Sequence, residues 1–124
     1  MDTKRIESFT LNKRKFVYFD FSRIMSNDDM LEMTTSAKAY MQKTDPESAV
    51  YAIINVDSAI ADSKTKAILT DWLEFNSKYV LHAAIINLDG TRKIMYNSIL
   101  KSLGLKNIKY FPTRQLAVDY LSEA

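Results

Sequence analysis

Two apolar runs constrain this chain more than anything else in it. Residues 50–56 (VYAIINV) and 79–88 (YVLHAAIINL) are almost unbroken in hydrophobic side chains. A strand open to water on one face alternates in polarity, whereas a strand covered on both faces need not. Between the runs, residues 63–77 place Ile68, Leu69, Trp72, Leu73 and Phe75 at helical spacing. Two doubly covered strands joined by a helix make a parallel pair with a crossover. The chain therefore needs more strands beside that pair and layers above and below it.

The remaining segments supply them. Residues 5–11 (RIESFTL) alternate as a strand does, with Ile6, Phe9 and Leu11 apolar. Asn12 and Lys13 make a turn into residues 15–21 (KFVYFDF), so these two strands form an antiparallel hairpin. Ser26 starts a helix whose Asp28 and Asp29 suit its positive end. Met30, Met33, Ala37, Tyr40 and Met41 give that helix its buried stripe, and Asp45-Pro46 ends it. Thr91 is expected to cap a third helix, with Ile94, Met95, Ile99, Leu100 and Leu103 inward and Gly104 left-handed at its end. Residues 108–111 form a short strand. Pro112-Thr113 opens a last helix burying Leu116, Ala117, Tyr120 and Leu121. The order ββαβαβαβα predicts an α/β fold: a mainly parallel sheet with an antiparallel N-terminal edge hairpin and about four helices.

Composition narrows the function classes. A chain of 124 residues suits one domain over residues 1–124, with its core within about 5–122. Seventeen basic and 15 acidic residues leave a net charge of +2, too balanced to predict nucleic-acid binding. There is no cysteine and a single histidine, so thiol chemistry, thiolate metal sites and multi-histidine metal sites are ruled out. No apolar run approaches the length of a membrane span. Met1-Asp2-Thr3-Lys4-Arg5 precedes a strand pattern and not a signal-peptide core, so a cytoplasmic protein without stable membrane insertion is expected. No cofactor and no catalytic residue are predicted. His82 lies mid-strand without a serine or acid at a diagnostic spacing, and the scattered glutamates form no catalytic pair.

In this order and spacing, "FVYFDFS", "INVDSAIADSKTKAILTDWLEFN", "AAIINLDGTRKIMYNSILKSLG" and "IKYFPTRQLAVDYL" resemble the STAS-like proteins. That is the SpoIIAA-like fold of the sporulation anti-sigma factor antagonists, and the sequence resembles its small bacterial STAS/SEC14-like branch. The most specific part is the turn from Gly90 through Thr91, Arg92 and Lys93 to Ile94. The resemblance implies a non-enzymatic regulatory or binding module. The antagonists carry Asp-Ser-Ser-Gly at the start of the second long helix, and the second serine is phosphorylated. Here the stretch is Asp62-Ser63-Lys64-Thr65, so Lys64 stands where the phosphorylated serine would be.

Several clusters can carry function, each with a plainer account. Asp20, Asp57 and Asp89 end predicted strands and can hold Mg²⁺ as in a receiver-like phosphoacceptor domain using Asp57; they also terminate strands as Asp does in many proteins. Trp72, Phe75 and Tyr79 make either core or a partner surface. Met25, Met30, Met33 and Met41 either fill the core or line an apolar groove for an amphipathic lipid, as in a SEC14-like carrier. Lys64 and Lys66 open the second helix, and Arg92 and Lys93 the third, against the helix dipole. In a parallel sheet those helix starts share one edge. Ser58, Ser63, Lys64, Lys66, Gly90, Arg92 and Lys93 are therefore the candidate site for a small anionic ligand or a protein partner; the plainer account is solvated lysines offset by Asp62 and Asp89. Asp62 is expected to cap the second helix through the amide of Lys64 or Thr65. A homodimer is a further partner the sequence admits.

Overall fold

The computed structural model describes residues 3–45 and 47–124. A 3-10 turn at Thr3–Arg5 leads into β1 (Ile6–Leu11), which folds back as β2 (Arg14–Asp20). Then follow α1 (Asn27–Gln42), β3 (Val50–Asn55), α2 (Ser63–Asn76), β4 (Val80–Ile86), α3 (Gly90–Leu103), β5 (Ile108–Phe111) and α4 (Arg114–Leu121). The strands lie side by side in chain order, with β1 antiparallel to β2 and every later pair parallel. This is the expected α/β arrangement.

Crossovers of one hand between neighbouring strands put successive helices on one face of the sheet. The burial follows that rule. Val17, Phe19, Val50, Ala52, Ile54, Ala83 and Ile85 pack under Met30 and Met33 of α1, Leu69 and Trp72 of α2, and Ile99 of α3. On the opposite face Phe16, Tyr51, Ile53, Ala84 and Ile86 pack against Ala117 and Leu121 of α4. Alternate residues of β3 thus enter different cores, which is why its sequence lacks alternation. Trp72 sits fully inside, its ring 5.1 Å from Phe19 and 4.8 Å from Phe21. Met30, Met33 and Met41 are core filler, while Met25 is 69% exposed.

Three expectations need correction. Ile94 is 74% exposed and Leu116 48%, so neither faces inward. At about 100° per residue, Ile94 lies five positions and roughly 140° from Ile99, and Leu116 the same from Leu121. Tyr96, three positions before Ile99, takes the buried place instead, at 2% exposure. The cap of α3 is Asp89, whose carboxylate accepts the Arg92 amide at 2.9 Å; Thr91 is already helical and donates its hydroxyl to Asp89. Gly104 does take the left-handed position after α3, at φ 67°. Lys43 follows the last residue of α1, and Pro46, expected near that end, lies outside the described residues.

The hairpin between β1 and β2 closes at Leu11 opposite Arg14. Its two loop residues are both left-handed, Asn12 at φ 52° and Lys13 at φ 64°. That is the mirror-image turn whose twist matches paired strands, and it favours Asn followed by Gly. Lysine has a Cβ that this conformation crowds. Lys13→Gly is expected to stabilise the protein by about 0.5–1 kcal/mol, the relief of left-handed strain less glycine's entropy cost. Urea unfolding of the two proteins measures it, and a lower midpoint for the variant would contradict the turn geometry.

Candidate functional site

The start of α2 is built around Asp62. Its carboxylate accepts the Thr65 amide at 2.9 Å, and the Thr65 hydroxyl accepts the Asp62 amide at 3.2 Å, a reciprocal capping box. Asn27, at the start of α1, donates its side-chain amide to both carboxylate oxygens, at 3.0 and 3.1 Å. It also accepts the Thr65 hydroxyl at 2.6 Å. One asparagine thus ties the first turns of α1 and α2 together. The Thr65 amide bond, then the Asn27 amide and the Thr65 hydroxyl, hold the Asp62 carboxyl below the usual carboxylate range. At α3 the Arg92 amide and the Thr91 hydroxyl lower the Asp89 carboxyl, and the Arg92 guanidinium, 2.9 Å from it, adds to this.

Each helix start therefore already holds a carboxylate, and the sequence expectation of an open anion seat is narrowed accordingly. Lys64 and Lys66 are exposed, and neither is in an ion pair among the described residues. Arg92 is paired with Asp89. Lys93 leans over the Tyr110 ring at 5.2 Å and lines a different recess with Leu88, Tyr110 and Pro112. Ser58 sits in the β3–α2 loop at φ 55°, its hydroxyl 3.4 Å from Asp57.

Two shallow recesses adjoin the start of α3, one against α2 and the other against the β3–α2 loop. One, of about 390 Å³, is lined by Ala61, Asp62, Ser63, Lys66, Thr91, Ile94, Met95 and Ser98. The other, of about 270 Å³, is bounded by Met25, Ala59, Ile60, Ala61, Thr91, Arg92 and Met95. Ala61, Thr91 and Met95 belong to both, so the two recesses form one continuous surface. Of the predicted site residues, this surface brings together Ser63, Lys66 and Arg92, and it leaves Ser58, Lys64, Gly90 and Lys93 off its lining. What the sequence reading missed is most of its apolar part, Ile60, Ile94 and Met95; Met25 was offered there only for a lipid groove. Helical phase would have found Ile94, because it falls outside the stripe set by Ile99.

The rival chemistries find less. Among the described residues no three His, Asp or Glu side chains gather in a metal-holding group, so Asp20, Asp57 and Asp89 do not form the cluster a receiver-like site needs. An apolar cleft between α2 and β5, lined by Ile54, Leu73, Asn76, Val80 and Ile108, offers about 10 Å³, the room of one water and not of an acyl chain. The Asn76 side-chain oxygen beside it is buried and has no hydrogen-bond partner among the described residues. Among the described residues no helix is long and apolar enough to cross a membrane. His82 stacks on Tyr51 with ring centres 6.2 Å apart, a packing role.

No family model matches the sequence, and no curated protein matches it. Among solved structures, an anti-sigma-factor antagonist (STAS) domain protein from Planctomyces limnophilus matches with a TM-score of 0.61 and 13% identity. The match covers 95% of this chain and 98% of that one. At such low identity the likeness is one of fold, and the chain has a STAS-like fold.

Two predictions come from the helix starts. Gly90 has open space where a Cβ would stand and no left-handed backbone. Gly90→Ala is therefore expected to stabilise the protein by about 0.4–1 kcal/mol through the unfolded chain's entropy, measured by urea unfolding. The lowered carboxyls of Asp62 and Asp89 stabilise the fold above the ordinary value of 3.8 and lose that contribution as pH falls through their native values. The acid limb of the stability curve should thus be shallower in Asp62→Asn than in the parent, as followed by circular dichroism at decreasing pH.

Proposed function

From a STAS-like fold with this surface, we propose that the chain is a non-enzymatic regulatory module that docks a protein partner between the starts of α2 and α3. The observation that carries the reading is an exposed apolar pair, Met25 at 69% and Ile94 at 74%, beside cationic side chains on one continuous surface. Apolar side chains grouped in the open, with polar groups around them, are the ordinary makings of an interface. Ile94 and Met95 supply the apolar contact, with methionine adapting to the partner's shape. Lys66, and Arg92 where a partner's carboxylate competes with Asp89, select an acidic group and fix its orientation. Ser63 supplies a hydroxyl at the rim. The solved neighbour is described as an anti-sigma-factor antagonist domain, which supports a protein partner over a small metabolite. Two further points support the reading: the recesses are open and shallow, and Asp62 and Asp89 already occupy the helix starts that a free phosphate would seek.

A photo-crosslinking residue placed at Ile94, in cells of the native host, tests this. One dominant protein adduct is expected at position 94 and none at Asp119, which is exposed on α4 across the sheet. Lys66→Glu should reduce the adduct at least tenfold, equivalent to about 1.4 kcal/mol of binding, and added salt should reduce it as well. Equal labelling from positions 94 and 119 would remove the proposal. Ile94→Asp should abolish binding while changing stability by no more than about 0.5 kcal/mol, because the side chain is already in water.

A further inference from the structure

The sheet has two edges, and they differ. β5 has four residues, carries Lys109 and is followed by Pro112, features that commonly protect an edge. β1 has six residues, IESFTL, with no proline, no lysine and no break in its register with β2. The hairpin fixes which of its backbone groups are free. Leu11 and Arg14 close a two-residue loop, so Leu11, Phe9 and Glu7 exchange hydrogen bonds with β2. The other edge of β2 agrees, since the odd-numbered Phe21 amide bonds to Asn55 of the β3 side at 2.8 Å. Ile6, Ser8 and Thr10 therefore turn their amides and carbonyls outward, away from β2.

We propose that β1 is a homodimer seam, in which two copies pair antiparallel through β1 with Ser8 opposite Ser8 of the second copy. This register sets Ile6 opposite Thr10 of the second copy, and reciprocally, and joins all the outward groups in about six hydrogen bonds. A register two residues shorter places Glu7 against Glu7, two like charges directly opposed. A register two residues longer carries Ile6 onto the turn residue Asn12 and loses its bonds. The side chains favour the same choice. Glu7 would lie opposite Phe9 of the second copy. Arg114 lies over Phe9 at 5.2 Å and reaches Glu7 at 3.4 Å within each copy. Each Glu7 thus meets its own Arg114 and, across the seam, the Arg114 of the second copy, and on the other face the paired serines bring hydroxyl to hydroxyl. The seam joins two five-stranded sheets into one and leaves the α2–α3 surface of each copy open.

Sedimentation velocity on the full chain should show a dimer at tens of micromolar. Because the chain has no cysteine, Ser8→Cys offers a single thiol. Cα atoms across a hydrogen-bonded antiparallel pair stand about 5.5 Å apart, within disulfide range. Mild oxidation should therefore link Ser8→Cys into a covalent dimer and leave Thr10→Cys, which faces Ile6 of the other copy, largely unlinked. Ser8→Pro removes an outward amide that β2 does not use, and should raise the dimer dissociation constant at least tenfold. If that variant fails to fold, Ser8→Lys replaces it: opposed lysines should split the dimer at low salt and allow it at high salt. A monomeric parent, equal cross-linking of the two cysteine variants, or a dimer unaffected by both Ser8→Pro and Ser8→Lys would overturn the proposal.

Discussion

Five strands laid side by side in chain order decide where everything else in this protein goes. With crossovers of one hand, α1, α2 and α3 have no choice but the same face of the sheet. Only α4, of eight residues, remains for the other, and it packs over β3, β4 and β5. β1 and β2 lie at the margin of that helix, which reaches Phe16 of β2 with Ala117 and Leu121. Side chains complete their cover. Phe9, Phe16, Tyr51 and His82 stand opposite one another across β1, β2, β3 and β4 in one continuous row of rings. Arg114 lies over Phe9 and Tyr18, and Arg14 lies over Tyr51 while donating to the Leu121 carbonyl at 2.6 Å. Guanidinium groups suit this task because their flat faces stack on rings while their edges still reach water and oxygen acceptors.

The same order brings the starts of the crossover helices to one edge of the sheet, where they are not equally tied. Asn27 couples α1 to α2 through Asp62 and Thr65, and the pair is held again further along by Lys38 and Asp71. No comparable hydrogen bond joins the first turns of α2 and α3 among those seen in the described residues. The gap between them is instead lined by side chains at the margin of the core: Ile94 stands in the open, and Met95 is half-buried against the core's edge. A surface of this kind comes from packing geometry: α2 needs Leu69 and Trp72 inward, α3 needs Tyr96 and Ile99 inward, and the residues left facing each other are free to vary.

Most of the fold was legible because burial on both faces is written directly into β3 and β4 as unbroken apolar runs, and turn chemistry marks the rest. Ser26, Asp62 and Gly104 took the positions their side chains, or lack of one, dictate. The errors have a common source. Ile94 and Leu116 are apolar residues near a helical stripe but off its phase, and composition outvoted angle in reading them. Thr91 and Asp89 are both good caps two residues apart, and the tie was resolved by where β4 ends, which a sequence does not mark sharply. The site was less legible. Lys66, Arg92 and Ser63 converge because of topology, but Asn27 joins Asp62 from 35 positions away, and no local pattern announces such a bond.

Charge at the α2 start brings topology and the proposed role together. Anions are favoured at a helix start and cations disfavoured, yet Lys64 and Lys66 remain there in water. Asp62 makes this tolerable: its carboxylate sits directly on the helix amides, held by Thr65 and Asn27, and its low affinity for protons keeps the charge in place at neutral pH. The anionic requirement of the helix is therefore met from within the chain. In the resembling antagonists a phosphoserine places a removable negative charge two residues further on, and here Lys64 fixes a positive one. A partner surface built on these residues would have no charge at that position to add or remove. On the proposed reading, control passes to whatever competes for Lys66, Arg92 and the exposed Ile94, and thus to the concentration and acidity of the partner itself.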